Sequence, residues 1–195
     1  MPTPLAHYQR DLEEHGFFRD AAQQRAVENL QQVFDEVLAD RARQQGVLGR
    51  FRRRRAVPGL YMWGGVGRGK TYLMDLFYES LPDDDRMRMH FHRFMQYVHR
   101  QMRARQGDKN PLDDIGADLA KQARVLCFDE FFVTDITDAM ILAGLKEALF
   151  NAGVTLVATS NIHPDQLYYN GLQRQRFLPA IDLIKQQCRV LNVDG

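Results

Sequence analysis

The sequence predicts an α/β protein on a parallel sheet, with a phosphate-binding loop at the sheet's ligand edge. Three observations carry that expectation. Five short apolar runs of strand length alternate with segments of helical apolar spacing, without repeats or low-complexity tracts. The run Gly64-Gly65-Val66-Gly67-Arg68-Gly69-Lys70-Thr71 fits G-x-x-x-x-G-K-[ST], the phosphate loop of nucleoside-triphosphate enzymes. An acidic pair, Asp129-Glu130, directly follows the apolar run Val125–Phe128, at the strand end where α/β sheets face their ligand crevice. The expected architecture is a three-layer α/β/α P-loop domain with a five-stranded parallel sheet and an N-terminal helical extension.

The first fifty residues read as helical. Asp20 is a good N-cap, and Val27, Leu30, Phe34, Val37 and Leu38 fall on one face of a helix that ends near Gly46 and Gly49. A basic run follows, Arg50-Phe51-Arg52-Arg53-Arg54-Arg55, before Pro58. It reads either as a contact for a phosphate backbone or acidic partner, or as a solvated linker kept extended by charge repulsion. Residues 1–55 are thus a helical extension with a basic linker, and residues 56–195 the nucleotide-binding core.

Within the core, Gly59–Trp63 suits a buried strand, and Thr71–Tyr78 has helical spacing that reaches the natural stop at Pro82. After the acidic turn Asp83–Asp85, the segment Arg86–Phe91 alternates like a half-buried strand and runs into a helix through Val98 and Met102. A polar loop from Gln106 to Pro111 and a helix from about Asp113 to Gln122 precede the strand Val125–Phe128. Thr137 or Asp138 is the expected cap of a helix over Ala139–Phe150, which Asn151-Ala152-Gly153 ends. Val154–Thr159 is a strand, Leu178–Gln187 a last helix, and Val190–Val193 the final strand.

The chemistry follows from residue type and place. Glycines let the loop's N–H groups turn inward around phosphates, at φ values a Cβ would resist. Lys70 then reaches the β- and γ-phosphates of ATP, Thr71 ligates Mg²⁺, and the following helix adds the positive end of its dipole. Asp129 would complete the Mg²⁺ shell, and Glu130 would polarise the water that attacks the γ-phosphate. Asn161, after the strand Val154–Thr159, either orients that water or contacts the γ-phosphate, or else merely forms a turn. Arg174 and Arg176 stand just before the last helix, as solvated surface groups or as an arginine given to a neighbouring subunit's γ-phosphate. His90 and His92 are expected on one strand face, with His99 beyond. No acidic or thiol partner falls at familiar zinc spacing, so they read as structural histidines or as polar groups that sense the nucleotide.

Composition bounds the partners. The chain has 195 residues, 45% of them apolar and 26% charged, the makeup of a soluble domain with a real core. A net charge of +1 makes no whole-chain case for a nucleic-acid or membrane partner. No apolar stretch approaches the roughly 20 residues of a membrane span. The first residues lack the pattern of a signal peptide or a mitochondrial presequence, since Asp11, Glu13 and Glu14 follow at once. Cys127 and Cys188 lie inside apolar runs, a small-hydrophobe usage that fits a reducing cytoplasm better than a disulfide.

With these residues in view, the chain closely resembles the ZapE family of cell-division ATPases and their mitochondrial AFG-type relatives. The resemblance rests on Gly59–Thr71, His90–Met95, Leu126–Phe131, Ala158–Asn161, Asn170–Arg174 and Phe177–Ile181, in order along essentially the whole chain. It implies the AAA+ class, in which the strand Val154–Thr159 lies between the phosphate-loop strand and the Asp129 strand. It further implies Lys70 and Thr71 as Walker A, Asp129 and Glu130 as Walker B, and Asn161 as the first sensor. Arg176 takes the place of the arginine finger, with Arg174 the fallback. In bacteria the family is associated with the division ring and its FtsZ polymer, and self-association through the ATP site is expected. Such proteins continue into a helical lid with a second sensor arginine, whereas this sequence ends at Asp194-Gly195, as a truncated member would. A nucleotide-gated binding module such as a helicase loader, or a fragment that binds ATP without turnover, is the alternative expectation.

Overall fold

The computed structural model describes residues 2–16, 20–49, 56–67 and 69–194. Two helices come first, α1 (Pro4–Glu14) and α2 (Ala21–Gln45). The Thr3 hydroxyl caps α1 by accepting from the Ala6 N–H, and the Asp20 carboxylate caps α2 by accepting from the Ala22 N–H at 2.8 Å. The core then runs β1 (Gly59–Trp63), α3 (Lys70–Ser80), β2 (Arg86–His90), α4 (Phe91–Ala104), α5 (Pro111–Gln122) and β3 (Val125–Asp129). It closes with α6 (Ile136–Asn151), β4 (Thr155–Ser160), α7 (Arg174–Gln187) and β5 (Cys188–Asn192).

The strands form one parallel sheet in the order β2-β3-β4-β1-β5, so β4 lies between the phosphate-loop strand and the Asp129 strand. Strand alternation sends side chains to two apolar layers. Leu60, Met62, Cys127 and Val157 pack against α1, α2 and α3, while Tyr61, Leu126, Phe128, Leu156 and Ala158 pack against α4 to α7. Val27, Leu30, Phe34 and Val37 of α2 are fully or almost fully buried in the first layer, beside Leu73, Met74 and Phe77 of α3. The Tyr72 hydroxyl donates to Asp11 at 2.7 Å and ties α3 to α1. Cys127 and Cys188 are buried free thiols in opposite layers, separated by the sheet.

Two helix starts differ from the sequence expectation. Neither Thr137 nor Asp138 caps α6. The cap is Asp135, whose Oδ1 accepts from both of their N–H groups at 2.8 and 3.1 Å, so the helix begins at Ile136. The Asp135 carboxylate satisfies two orphan donors and lets the helix start two or three residues earlier than a cap at Thr137 or Asp138 would. Helix α7 begins at Arg174 instead of Leu178, with Pro179 inside it. The ring costs the helix one N–H bond, which burial of Phe177, Ala180, Ile181 and Ile184 on one face offsets. Among the described residues, no helix is long and apolar enough to cross a membrane.

Candidate nucleotide-binding site

Strand order reverses at β1, whose two neighbours, β4 and β5, both come late in the chain; a crevice opens there at the carboxyl ends of the strands. The loop that leaves β1 is anchored at its start, where the Gly64 N–H donates to the Ser160 carbonyl at 3.1 Å. Gly67 and Gly69 hold φ of +80° and +72°, in the left-handed region that glycine enters without Cβ strain. Gly69 is also the N-cap of α3 and offers no side-chain cap, so the helix's positive end is presented to the crevice. Lys70 Nζ donates to the carbonyls of Gly64 and Gly65, both at 2.7 Å, which folds the ammonium over the loop. Val66, Gly67, Gly69, Lys70 and Thr71 line a cavity of about 890 Å³. Arg68 and the run 50–55 lie outside the described residues.

Asp129, Glu130 and Asn161 line the same cavity, so the sequence-predicted residues from three separate strands converge on one place. The Asp129 side chain is only 11% exposed and is clasped by Arg88 of β2. Arg88 Nε donates to Oδ2 at 2.7 Å and Nη2 to Oδ1 at 3.1 Å, while Nη1 reaches Asp75 of α3 at 2.5 Å. Burial disfavours the guanidinium charge, but the hydrogen bonds to Asp129 and Asp75 outweigh it, and its pKa lies above the ordinary arginine value. Glu130 differs in kind: its side chain is 79% exposed, and its backbone sits at φ +55°. Its N–H donates to the Thr159 hydroxyl at 3.3 Å, and its carboxylate lies 3.7 Å from His90 Nδ1.

The remaining candidates are placed elsewhere. Arg174 and Arg176 sit in the first turn of α7, not ahead of it, and neither lines this cavity. Arg174 donates to the carbonyls of Asp165 and Leu167, whereas Arg176 is exposed and donates to Gln173 at 2.9 Å. His90 and His92 do not share a strand face: His90 ends β2 at the cavity, and His92 belongs to α4 because the helix starts at Phe91. His99 pairs with Asp138 at 2.7 Å. Among the described residues, no three His, Cys, Asp or Glu side chains gather as a metal site.

Arg88, Asp75 and Asp194 were not singled out by sequence. Asp194, just past β5, accepts from the Gly65 N–H at 3.0 and 3.3 Å and braces the loop from the opposite side of β1. Asp75 carried a usable signal, since it follows Thr71 by one helical turn and therefore shares its face.

A glycine loop between an interior parallel strand and a helix, with an acidic pair at the end of the next strand but one, defines a P-loop NTPase of AAA+ type. The chain belongs to the AFG1-like ATPase family, whose family model matches residues 2–195. It is 52% identical to the cell division protein ZapE of Escherichia coli strain K12 over 205 residues, covering 99% of this chain and 55% of that protein. The chain thus spans about half the length of the curated relatives it matches. The fold is also similar to the crystal structure of DnaI, with a TM-score of 0.61 at 14% identity, over 90% of this chain and 87% of that one. AMPPCP-bound DnaA from Aquifex aeolicus matches at a TM-score of 0.56 and 13% identity, over 92% of this chain and 50% of that one. At such identities the two structures speak for the fold alone.

Proposed function

We propose that this chain binds ATP with Mg²⁺ and hydrolyses it, as a cytoplasmic ATPase that acts in cell division and works in an oligomer. One observation carries the reading: the phosphate loop, Asp129, Glu130 and Asn161 surround a single cavity whose volume suits a nucleotide. The donor set fits the ligand, with glycine N–H groups and an ammonium for phosphates and oxygen ligands for a hard cation. In this reading Gly64, Gly65, Val66, Gly67, Arg68 and Gly69 cradle the phosphates, and Lys70 leaves the loop carbonyls for the β- and γ-phosphate oxygens. Thr71 and Asp129 hold Mg²⁺, which neutralises phosphate charge when bound. Glu130 takes the proton of the attacking water, and Asn161 orients that water. Arg176 serves the site of a neighbouring subunit, because Arg174 is spent on carbonyls of its own chain. The name of the Escherichia coli relative and the family resemblance support the cell-division role, with the FtsZ ring as the assembly served.

Calorimetry with Lys70→Ala tests the binding step. Losing one charge-assisted contact to phosphate should weaken ATP binding by about 10- to 100-fold. Unchanged affinity in a folded variant would overturn the assignment of the phosphate loop.

A further inference from the structure

The family pattern gives no role to Arg88, yet its guanidinium is bonded to both Asp129 and Asp75, two carboxylates that line the cavity. Its backbone lies opposite Cys127 in the β2–β3 register, two residues before Asp129 on the neighbouring strand, so the side chain reaches along the strands toward the crevice. The fork spends Nε and Nη2 on the two oxygens of one carboxylate, the planar match that a lysine cannot make. The remaining arm is held by Asp75, one turn along α3 from Thr71. Arg88 therefore stands between the two elements that carry the expected metal ligands, Thr71 on α3 and Asp129 on β3, with its side chain 20% exposed.

We propose that Arg88 is a positioning residue for the metal site: it pins Asp129 and keeps the nucleotide-free protein from binding a divalent cation. Metal affinity then depends on the arrival of phosphate charge. This rests on the nucleotide-binding reading above. Without Arg88, Asp75 and Asp129 would present two uncompensated carboxylates; with it, they carry a single net negative charge. Each carboxylate oxygen has two acceptor positions, so Asp129 can stay clasped and still offer lone pairs to the site. A divalent ion alone meets a fixed positive neighbour there, whereas an ion that arrives with a triphosphate brings several negative charges that Arg88 attracts. The competing view is a plain ion-pair brace of β2 to α3 and β3, which would affect stability but not metal linkage.

The test uses the full chain in two measurements. Mn²⁺ binding to the nucleotide-free protein is followed by electron paramagnetic resonance, and ATP binding by calorimetry in excess Mg²⁺ and in EDTA. Arg88→Gln should tighten Mn²⁺ binding by about tenfold or more, the repulsion between a divalent ion and one nearby cation in a watery pocket. It should also widen the ratio of ATP affinities with and without Mg²⁺ by a similar factor. Arg88→Lys keeps the charge, so its Mn²⁺ affinity should stay within about threefold of the wild type; it cannot make the two-armed clasp on Asp129, so its ATP affinity in Mg²⁺ should fall. Asp75→Asn removes a carboxylate and leaves Arg88 less compensated, so it should weaken Mn²⁺ binding; it also serves if Arg88→Gln fails to fold. Equal Mn²⁺ affinity in wild type and folded Arg88→Gln overturns the proposal, and so does tighter binding in Asp75→Asn. If the wild type binds no ATP in either buffer, the nucleotide reading fails, while the Mn²⁺ comparison still judges Arg88 without any nucleotide.

Discussion

Lys146 should be a large drain on the stability of this fold at neutral pH, and replacing it by methionine should remove that drain. The residue lies in the middle of α6, is 2% exposed, and its Nζ has no hydrogen-bond partner among the described residues. What faces the ammonium is aromatic, the Phe131 ring at 4.7 Å and the Phe150 ring at 5.9 Å. Burial, slightly opposed by the Cys188 thiol, pulls its pKa from 10.5 down to about 7. Each unit of such a shift is worth about 1.36 kcal/mol, so holding this group inside costs roughly 4 kcal/mol near pH 7.

The sign follows from where the proton sits. Between the folded and unfolded pKa values the unfolded chain binds the extra proton, so wild-type stability rises with pH across that window; below about 7 the penalty is full and flat. From pH 6.5 to 8 the rise should be on the order of 1 kcal/mol. The range to pH 8 ends before the unfolded-state thiols ionise near 9.0; in the fold, burial pushes Cys188 up to about 12 and raises Cys127 as well. Once unfolded-state thiols ionise, stability moves the other way. Urea unfolding of wild type and Lys146→Met across this range measures the effect, since both share every other titrating group. Lys146→Met should be more stable by a few kcal/mol at pH 6.5 and should lack the rise. A parallel slope in the two proteins, or a less stable variant at pH 6.5, would refute the reasoning.

Two further outcomes test the chemistry. Glu130→Gln should bind ATP with wild-type affinity in calorimetry and lose hydrolysis by about 10²- to 10⁴-fold in a phosphate-release assay, the span for a general base; lost binding would instead place Glu130 on the metal or the fold. Arg176→Ala should bind ATP normally but abolish any rise of specific activity with protein concentration, a finger being worth about 10³–10⁵ in rate. Mixing it with Lys70→Ala should restore part of the activity, and a mixture as inactive as its parts beside an active wild type would exclude Arg176 as a trans-acting group.

What was legible in the sequence was whatever is written locally. The phosphate loop needs glycine, lysine and threonine at fixed spacing, and the strand order around it followed from resemblance to a known family. Arg88 escaped because its partners are distant in sequence: β2 and β3 pair side by side although two helices separate them in the chain, and Asp75 comes from a third element. Asp194 escaped for the same reason, since β5 returns to β1 from the far end of the chain. Errors at helix starts were local. Three candidate caps lie within four residues, Asp135, Thr137 and Asp138, and spacing alone does not choose among them. Helix α7 starts four residues ahead of the expected Leu178, where burial of Phe177 extends it on the N-terminal side of Pro179.

The turn at Glu130 explains how a side chain so exposed can still be well placed. After β3 the next residue but one, Phe131, is fully buried, with ring centroids 4.3 Å from Phe91 and 6.2 Å from Phe128. Continuing as a strand would send Glu130 toward that aromatic layer; the left-handed backbone at Glu130 turns its carboxylate out and lets Phe131 in. A non-glycine residue in that region costs about 1 kcal/mol or more, and persists where the surroundings over-determine it. They do so here through β4. The Phe131 N–H donates to the Thr159 carbonyl at 2.7 Å, the Ser160 hydroxyl donates to the Phe131 carbonyl at 2.7 Å, and the Thr159 hydroxyl accepts from the Glu130 N–H. Backbone thus fixes where the Glu130 side chain originates, and its own freedom is left for the water or the His90 ring. Because the same two residues of β4 lead directly into Asn161, the candidate base and the candidate sensor share one rigid corner of the sheet.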